Sequence, residues 1–352
     1  VSTEIVVSAV GDILMWNSQI EAARIPNKRS YSFDHLFTEI APYLKTADLT
    51  IGNLETTLSG REKIYQQKSD KTGYPMFNCP DELAPALKKA GFDVITTANN
   101  HCMDRGVKGL NRTLDILDRY EIEHTGTFRT YKESKNLLIK TIKGIKIGIL
   151  NYTYGTNYIP VPKDQPWLVN RINLKKILAD LYRIKPKVDV TIVSLHFGRE
   201  FHRYPSKRQI EITNTLLKHG ADIILGSHPH VIQPMVLKNV TRFDGTTKKG
   251  VVINSLGNFI SKRMWKNIHT ESGVIVNITV EKNEKGETNI KKIDYVPTWT
   301  QQNHKLRKIR YRVLPIEKFL RQPDSHLSTE EIRTMKKIWK NTTTHIEQKS
   351  HL

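Results

Sequence analysis

Cysteine is nearly absent. Cys79 and Cys102 are the only two among 352 residues, too few for a disulfide scaffold or a cysteine-based zinc cluster. Whether those two pair is left open by the sequence. Long apolar runs are missing as well: the longest, such as Ile5–Val10 and Ala221–Leu225, fall far short of the roughly 18 residues that cross a bilayer. With 19 Gly and 15 Pro, and with 38% hydrophobic and 26% charged residues, the chain is neither collagen-like nor low-complexity nor generally disordered. No glycine-rich phosphate loop occurs. Gly-x-Ser-x-Gly is missing too, which counts against a serine hydrolase. The chain opens on Val1 and not on Met, which fits an anchor or signal upstream of it.

Acidic residues are outnumbered, 35 against 55 Lys and Arg, for a net charge of +20. Residues 301–352 hold 12 basic and 5 acidic residues, so +7 falls there and +13 on the rest. Such an excess permits attraction to an anionic polymer, lipid or nucleic acid. Aromatics at 8%, with neither a zinc finger nor an RNA-recognition signature, leave nucleic acid an unlikely partner.

Apolar periodicity predicts strands at Glu4–Val10, Asp48–Ile51, Phe92–Thr97, Val188–Leu195, Ala221–Gly226, Val231–Leu237 and Gly250–Ser255. Helices are expected over Phe33–Leu44, from an Asp81 cap through Ala90 with Gly91 closing it, and over Gly109–Tyr120 and Ser206–His219. Two hairpins are expected, Asn136–Ile142 with Ile145–Asn151 around Lys143-Gly144, and Val274–Glu281 with Asn289–Val296. Alternating strands and helices argue an α/β core, and the hairpins add a second sheet. The Ser59–Pro80 loop is long enough to suggest a functional role. The expected division is a domain over 1–300 and a basic, mostly helical extension over 301–352, with Ser328 capping Thr329–Lys340.

The chemistry is concentrated after the strands. Their ends read Gly11-Asp12, then Gly52-Asn53-Leu54-Glu55, then Asn99-Asn100-His101 with Asp104 nearby. Further on come His196-Phe197-Gly198-Arg199-Glu200, Gly226-Ser227-His228-Pro229-His230 and Ser255-Leu256-Gly257-Asn258. Ligands of open α/β sheets bind outside the carboxyl ends of the strands. Singly, Asp12 reads as a turn residue, Asn99-Asn100 as turn chemistry and His196 as a semi-buried histidine. Together they bring carboxylates, an amide oxygen and imidazoles to one edge, a donor set suited to Mn, Fe or Zn, one ion or two. Such a centre lowers the pKa of a bound water, and a nearby imidazole can protonate a leaving group. The other nine histidines (His35, His124, His202, His219, His269, His304, His326, His345 and His351) lack this context and are expected at the surface. Cys102 beside His101 in sequence does not establish a nucleophilic dyad. Glu200 and Asp104 read equally as acid/base or ligand-orienting carboxylates and as ion-pair partners, Glu200 with Arg199 in particular. Asn254, Ser255 and Asn258 read as fixing the last loop, with substrate contact as the alternative.

In this order, the motifs resemble the CapA family of capsule proteins, also called PgsA and linked to poly-γ-glutamate synthesis and export, over roughly residues 4–262. That family resembles the calcineurin-like metallophosphoesterases. The resemblance implies an α/β fold, a four-layer sandwich of two mixed sheets flanked by helices. It implies Asp12, Asn100, His196, His228 and His230 as metal ligands and His101 as an acid near the leaving group. Phosphoesterases carry Asp-x-His after the first strand, where this chain has Leu14, and a bridging aspartate where it has Asn53 and Glu55. Glu55 is the expected replacement carboxylate and Asn53 a weak or supporting one. The resemblance also implies a membrane-anchored ectodomain on the outer side of a bacterial membrane, an anionic γ-linked polymer and other synthetase subunits as partners. Metal-dependent hydrolysis of an envelope or nucleotide substrate, and inert polymer binding, stand as alternatives.

Overall fold

The computed structural model describes residues 1–303 and 310–348. Its strands are β1 (Thr3–Ile13), β2 (Leu49–Leu54), β3 (Gln67–Lys68), β4 (Pro75–Met76), β5 (Val94–Thr96), β6 (Glu123–Thr125), β7 (Leu138–Ile142), β8 (Ile145–Thr153), β9 (Val190–His196), β10 (Ile223–Ser227), β11 (Ile232–Thr241), β12 (Thr247–Leu256), β13 (Asn258–Ile260), β14 (Ser272–Lys282), β15 (Thr288–Asn303) and β16 (Arg310–Pro315). One sheet runs β16-β15-β14-β1-β2-β5-β6, with β13 against β1, and a second runs β11-β12-β10-β9-β8-β7. Both mix parallel and antiparallel pairs.

Several strands are apolar on both faces because both faces are covered. In β8, Ile145, Ile147 and Ile149 join Ile5, Val7 and Ile51 in the core between the sheets. Leu150 and Tyr152 of the same strand belong instead to the core that includes Ile177, Leu181, Ile212 and Leu216. Those last four come from the helices Leu174–Ile184 and Lys207–Lys218. Across the larger sheet, Val10, Ile13 and Leu54 share a cluster with Leu83, Leu87, Leu110 and Leu114 of the helices Leu83–Ala90 and Gly106–Arg119. The result is helix, sheet, sheet, helix.

Three local expectations change. Phe33–Leu44 is not one helix but two short ones, Asp34–Phe37 and Ala41–Lys45, because Pro42 lacks an N–H and is tolerated only in a first turn. Asp81 does not cap the next helix; it takes Arg112 in a two-pronged ion pair at 2.7 and 2.8 Å. His345 is buried, with Nε2 2.6 Å from the Arg203 carbonyl. His304 and His351 lie outside the described residues.

Position 301 falls inside β15, and β16 pairs with that strand from Thr298↔Pro315 to Asn303↔Arg310. The segment after residue 300 therefore begins as sheet edge, burying Tyr311 and Val313. It then turns helical at Ile316–Arg321 and Thr329–His345, the latter opened by a Ser328–Glu331 capping box. Cys79 and Cys102 are both free and buried.

Candidate metal centre

The site forms where the two sheets present their strand ends side by side. Asp12 lies opposite Asn53 in the β1–β2 pairing and opposite Asn258 in β1–β13. His196 ends β9 and lies opposite Ser227 of β10. The close approach depends on glycine at Gly11, where an added Cβ would sit 2.0 Å from the Gly257 carbonyl. After β10 the chain turns sharply through His228 (φ 102°) and His230 (φ 60°), left-handed conformations that non-glycine residues rarely adopt. Such strain collects at functional sites.

Two overlapping groups could each hold a metal ion: Glu55, His228 and His230 in one, and Asp12, Glu55 and His196 in the other. Within each set, the donor atoms lie within 4.8 Å of one another. Glu55 belongs to both. Its Oε1 is 3.6 Å from His196 Nε2 and 3.7 Å from His230 Nε2. His230 Nδ1 is 2.9 Å from Asn258 Oδ1 and 3.2 Å from Asp12 Oδ2. His196 directs Nδ1 to Ser227 Oγ at 2.8 Å and Nε2 to Asn100 Oδ1 at 2.9 Å.

The electrostatics favour a cation. Burial, followed by the Asp12 carboxylate beside it, pushes Glu55 well above the ordinary carboxylate range. Burial acts against ionisation of Asp12 too, but the hydrogen bond and charge of His230 and the charge of His196 hold it below that range. Burial lowers His196 to about 3 and takes His228 well below the imidazole norm, so both are neutral. Burial pulls His230 the same way, yet its bond to Asp12 raises it overall. Neither Glu55 oxygen, nor Nδ1 of His228, has a hydrogen-bond partner, although all three are buried. Unsatisfied buried atoms need an explanation, and a divalent cation would supply one here.

The profile of the family described as bacterial capsule synthesis protein PGA_cap matches residues 6–263. The chain belongs to that family. Its relatives include the capsule biosynthesis protein CapA of Bacillus anthracis, 32% identical over 74% of this chain and 61% of that protein. The PGA biosynthesis protein CapA of Bacillus subtilis is 28% identical over 82% of this chain and 70% of that one. Among solved structures, a putative 5'-nucleotidase from Staphylococcus aureus superposes with TM-score 0.52 at 14% identity, over 96% of this chain and 58% of that one. The NAD nucleotidase of Haemophilus influenzae does so with TM-score 0.51 at 13% identity, over 97% and 63%. The likeness to these nucleotidases is one of fold.

In this PGA_cap chain Asp12, Glu55, Asn100, His196, His228 and His230 meet in space, and Asn53, His101, Asp104, Glu200 and Asn258 stand around them. Asn53 turns its oxygen to Thr96 and Asn99 and its amide to Asp12 Oδ1 at 2.8 Å, so it orients Asp12. His101 binds Asp104 Oδ2 through Nδ1 at 2.6 Å, and the same oxygen accepts the Phe77 N–H at 2.7 Å. Glu200 does not pair with Arg199; its Oε1 lies 3.9 Å from His230 Nε2. Asn258 orients His230, whereas Asn254 fixes its loop by bonding the Pro234 carbonyl. Burial raises the Cys102 thiol to about 12, so no Cys–His nucleophile forms. Tyr154 and Asn157 were not legible as site residues. The Tyr154 ring lies 4.6 Å from that of His228, and Asn157 Oδ1 accepts from Asn100 at 3.1 Å. They follow the end of β8, whose trailing Tyr154-Gly155-Thr156-Asn157 carries no carboxylate or imidazole.

Bound in this centre, a divalent metal would polarise a substrate oxygen and acidify water. Asp12, Glu55, Asn100, His196, His228 and His230 would hold it. Asn258 and Ser227 fix the ring orientations of His230 and His196, the role of partners behind metal ligands. His101, its Nδ1 committed to Asp104 and its Nε2 facing the centre 3.9 Å from Glu55, is placed to deliver a proton.

Proposed function

We propose that this domain is the metal-centred component of poly-γ-glutamate capsule synthesis or export. One observation carries the reading: the family match over residues 6–263 contains every residue of the centre, Asp12 through Asn258. The relatives' names add support, two for capsule or PGA biosynthesis and one, from Mycobacterium tuberculosis, for polyglutamine synthesis. On this reading the domain works at the cell envelope, on the outer face of the membrane, with an anionic polymer and other synthetase subunits as partners. Among the described residues no helix is long and apolar enough to cross a membrane. The ion is Mn, Fe or Zn.

The test has two parts. Protein purified without chelator should hold stoichiometric metal that Asp12→Ala and His228→Ala/His230→Ala lose. Cells carrying those variants in place of the native gene should lose surface polymer; undiminished polymer would overturn the reading. The His101–Asp104 pair favours a second reading, a metal-dependent phosphoesterase. It predicts turnover of a simple phosphodiester that stops in His101→Ala, and metal-loaded protein inert to such substrates would exclude it.

A further inference from the structure

A cavity of about 710 Å³ opens beside the metal centre, with His228 and Glu200 at its inner side. Two arginines line it, Arg171 and Arg199, both exposed. Among the described residues neither guanidinium has a hydrogen-bond or ion-pair partner. Elsewhere in the chain, Arg105, Arg112, Arg129, Arg242 and Arg312 are all engaged with carboxylates. Glu200 is the single carboxylate among the lining residues, and it faces His230.

The backbone holds both arginines in place. Arg171 bridges to Thr153, where Thr153 N bonds the Asn170 carbonyl at 2.9 Å and Ile172 N bonds that of Thr153 at 2.8 Å. Arg199 lies in a turn fastened by Phe197 N to Ser227 O at 3.0 Å and Phe201 N to Pro229 O at 2.8 Å. Gly198 of that turn has φ 101°, and a Cβ there would meet the buried Gln209 side chain at 2.8 Å. Both cations are thus presented by fixed backbone, which lowers the ordering cost of binding.

Three tyrosines share the remaining wall with Ile159, Pro160 and Val161. Tyr74 comes from the long loop around β3 and β4, and Tyr154 and Tyr158 from the loop after β8. Asn157 (φ 50°) and Tyr158 (φ 64°) are consecutive left-handed residues, costly for tyrosine, and they leave Tyr158 fully presented at the rim.

We propose that Arg171 and Arg199 recognise carboxylates of a γ-linked glutamate chain lying across the metal centre, while the tyrosines pack on the methylenes between them. This rests on the polymer reading above. A γ-linked chain carries one free carboxylate per residue, set apart from the backbone amide by two methylenes. That chemistry matches planar guanidinium forks, carried on an anchored backbone, beside flat apolar faces.

The experiment is fluorescence anisotropy of a labelled γ-linked glutamate decamer at physiological salt. Arg171→Gln and Arg199→Gln should each weaken binding about fivefold, the scale of a solvent-facing ion pair, and the double variant about 25-fold if the sites add. Metal content and melting temperature should not change. Lys336→Gln/Lys337→Gln, which removes the same charge from an exposed helix, should leave affinity within about twofold. Equal affinity in wild type and the arginine double variant overturns the proposal and leaves the polymer reading standing. An equal loss in the lysine control overturns it too, since diffuse charge would then suffice. If only adenosine monophosphate binding falls in the double variant, the wall reads phosphate and the carboxylate assignment fails. A wild-type domain that does not bind the decamer overturns both readings.

Discussion

Replacing Glu55 by Gln should act in opposite directions on the metal-free and metal-loaded protein. Without metal, Glu55 is a fully buried carboxyl whose oxygens meet no donor and whose neighbour is the Asp12 carboxylate. An unsatisfied buried polar group costs about 1–3 kcal/mol, and an amide of the same shape removes the charge repulsion. With an unfolding entropy of about 2.1 cal/mol/K per residue, a 352-residue chain shifts its melting point by roughly 1.4 °C per kcal/mol. Chelated Glu55→Gln should therefore melt roughly 1–4 °C above chelated wild type. At a metal concentration of about 100 Kd, binding stabilises wild type by about 2.7 kcal/mol, or roughly 4 °C. Loss of the carboxylate shared by both ligand sets, at about 100-fold in affinity, cuts that gain below about 1 °C. The sign with pH follows from the raised pKa of Glu55. The wild-type handicap exists above that pKa and closes as pH falls towards the ordinary carboxylate value. Differential scanning calorimetry with and without chelator reads all of this. A metal-free variant no more stable than wild type, or a metal-induced shift of wild-type size, would refute the reasoning.

Asn258→Ala frees His230 Nδ1 from its 2.9 Å partner and should weaken metal binding about 10–100-fold by competition titration; unchanged affinity would mean that Asn258 only fixes its loop. Metal binding must displace protons from His230 and Glu55, whose pKa values are both raised, so affinity should fall about tenfold per pH unit for each proton displaced as pH drops through those values. Affinity independent of pH counts against the ligand assignment. His101→Ala should keep its full metal content, because its Nδ1 is committed to Asp104, and metal loss on elemental analysis would make His101 a ligand instead. His228→Ala leaves Asp12, Glu55 and His196 intact, so a two-ion centre should drop to one ion and a one-ion centre at Glu55, His228 and His230 to none.

Much of this was legible because buried parallel strands write themselves as unbroken apolar runs, and the polar residues that end them stand out. Gly11-Asp12 and Gly226-Ser227-His228 could be placed from that contrast alone. What stayed hidden depends on contacts between distant segments. Nothing local to Asn53 shows that its amide faces Asp12 while its oxygen faces Asn99. Burial of His345 follows from docking of the last helix beneath Arg203, 142 residues earlier in the chain. Among the described residues β16 pairs only with β15, and its basic residues masked the inward Tyr311 and Val313. Pro42 was legible and should have broken the Phe33–Leu44 helix, since a proline nine residues past the helix start removes a needed hydrogen bond.

The departures from the phosphoesterase pattern bear on what the site takes. Leu14 stands where those enzymes place a histidine, and it is buried in the fold. The carboxylate expected opposite Asp12 is replaced by Asn53, and Glu55, two residues on, supplies the charge instead. The set therefore keeps two carboxylates, Asp12 and Glu55, among imidazoles that burial holds neutral at His196 and His228. Two negative charges balance one divalent ion. A second ion would leave two positive charges in a buried setting, and a charge buried without a partner is costly. On the proposed reading, an anionic group of the polymer would relieve that excess, approaching through the cavity that Arg171 and Arg199 line. Affinity for anions should then rise with the second ion, so metal stoichiometry and polyanion binding are linked through one charge balance.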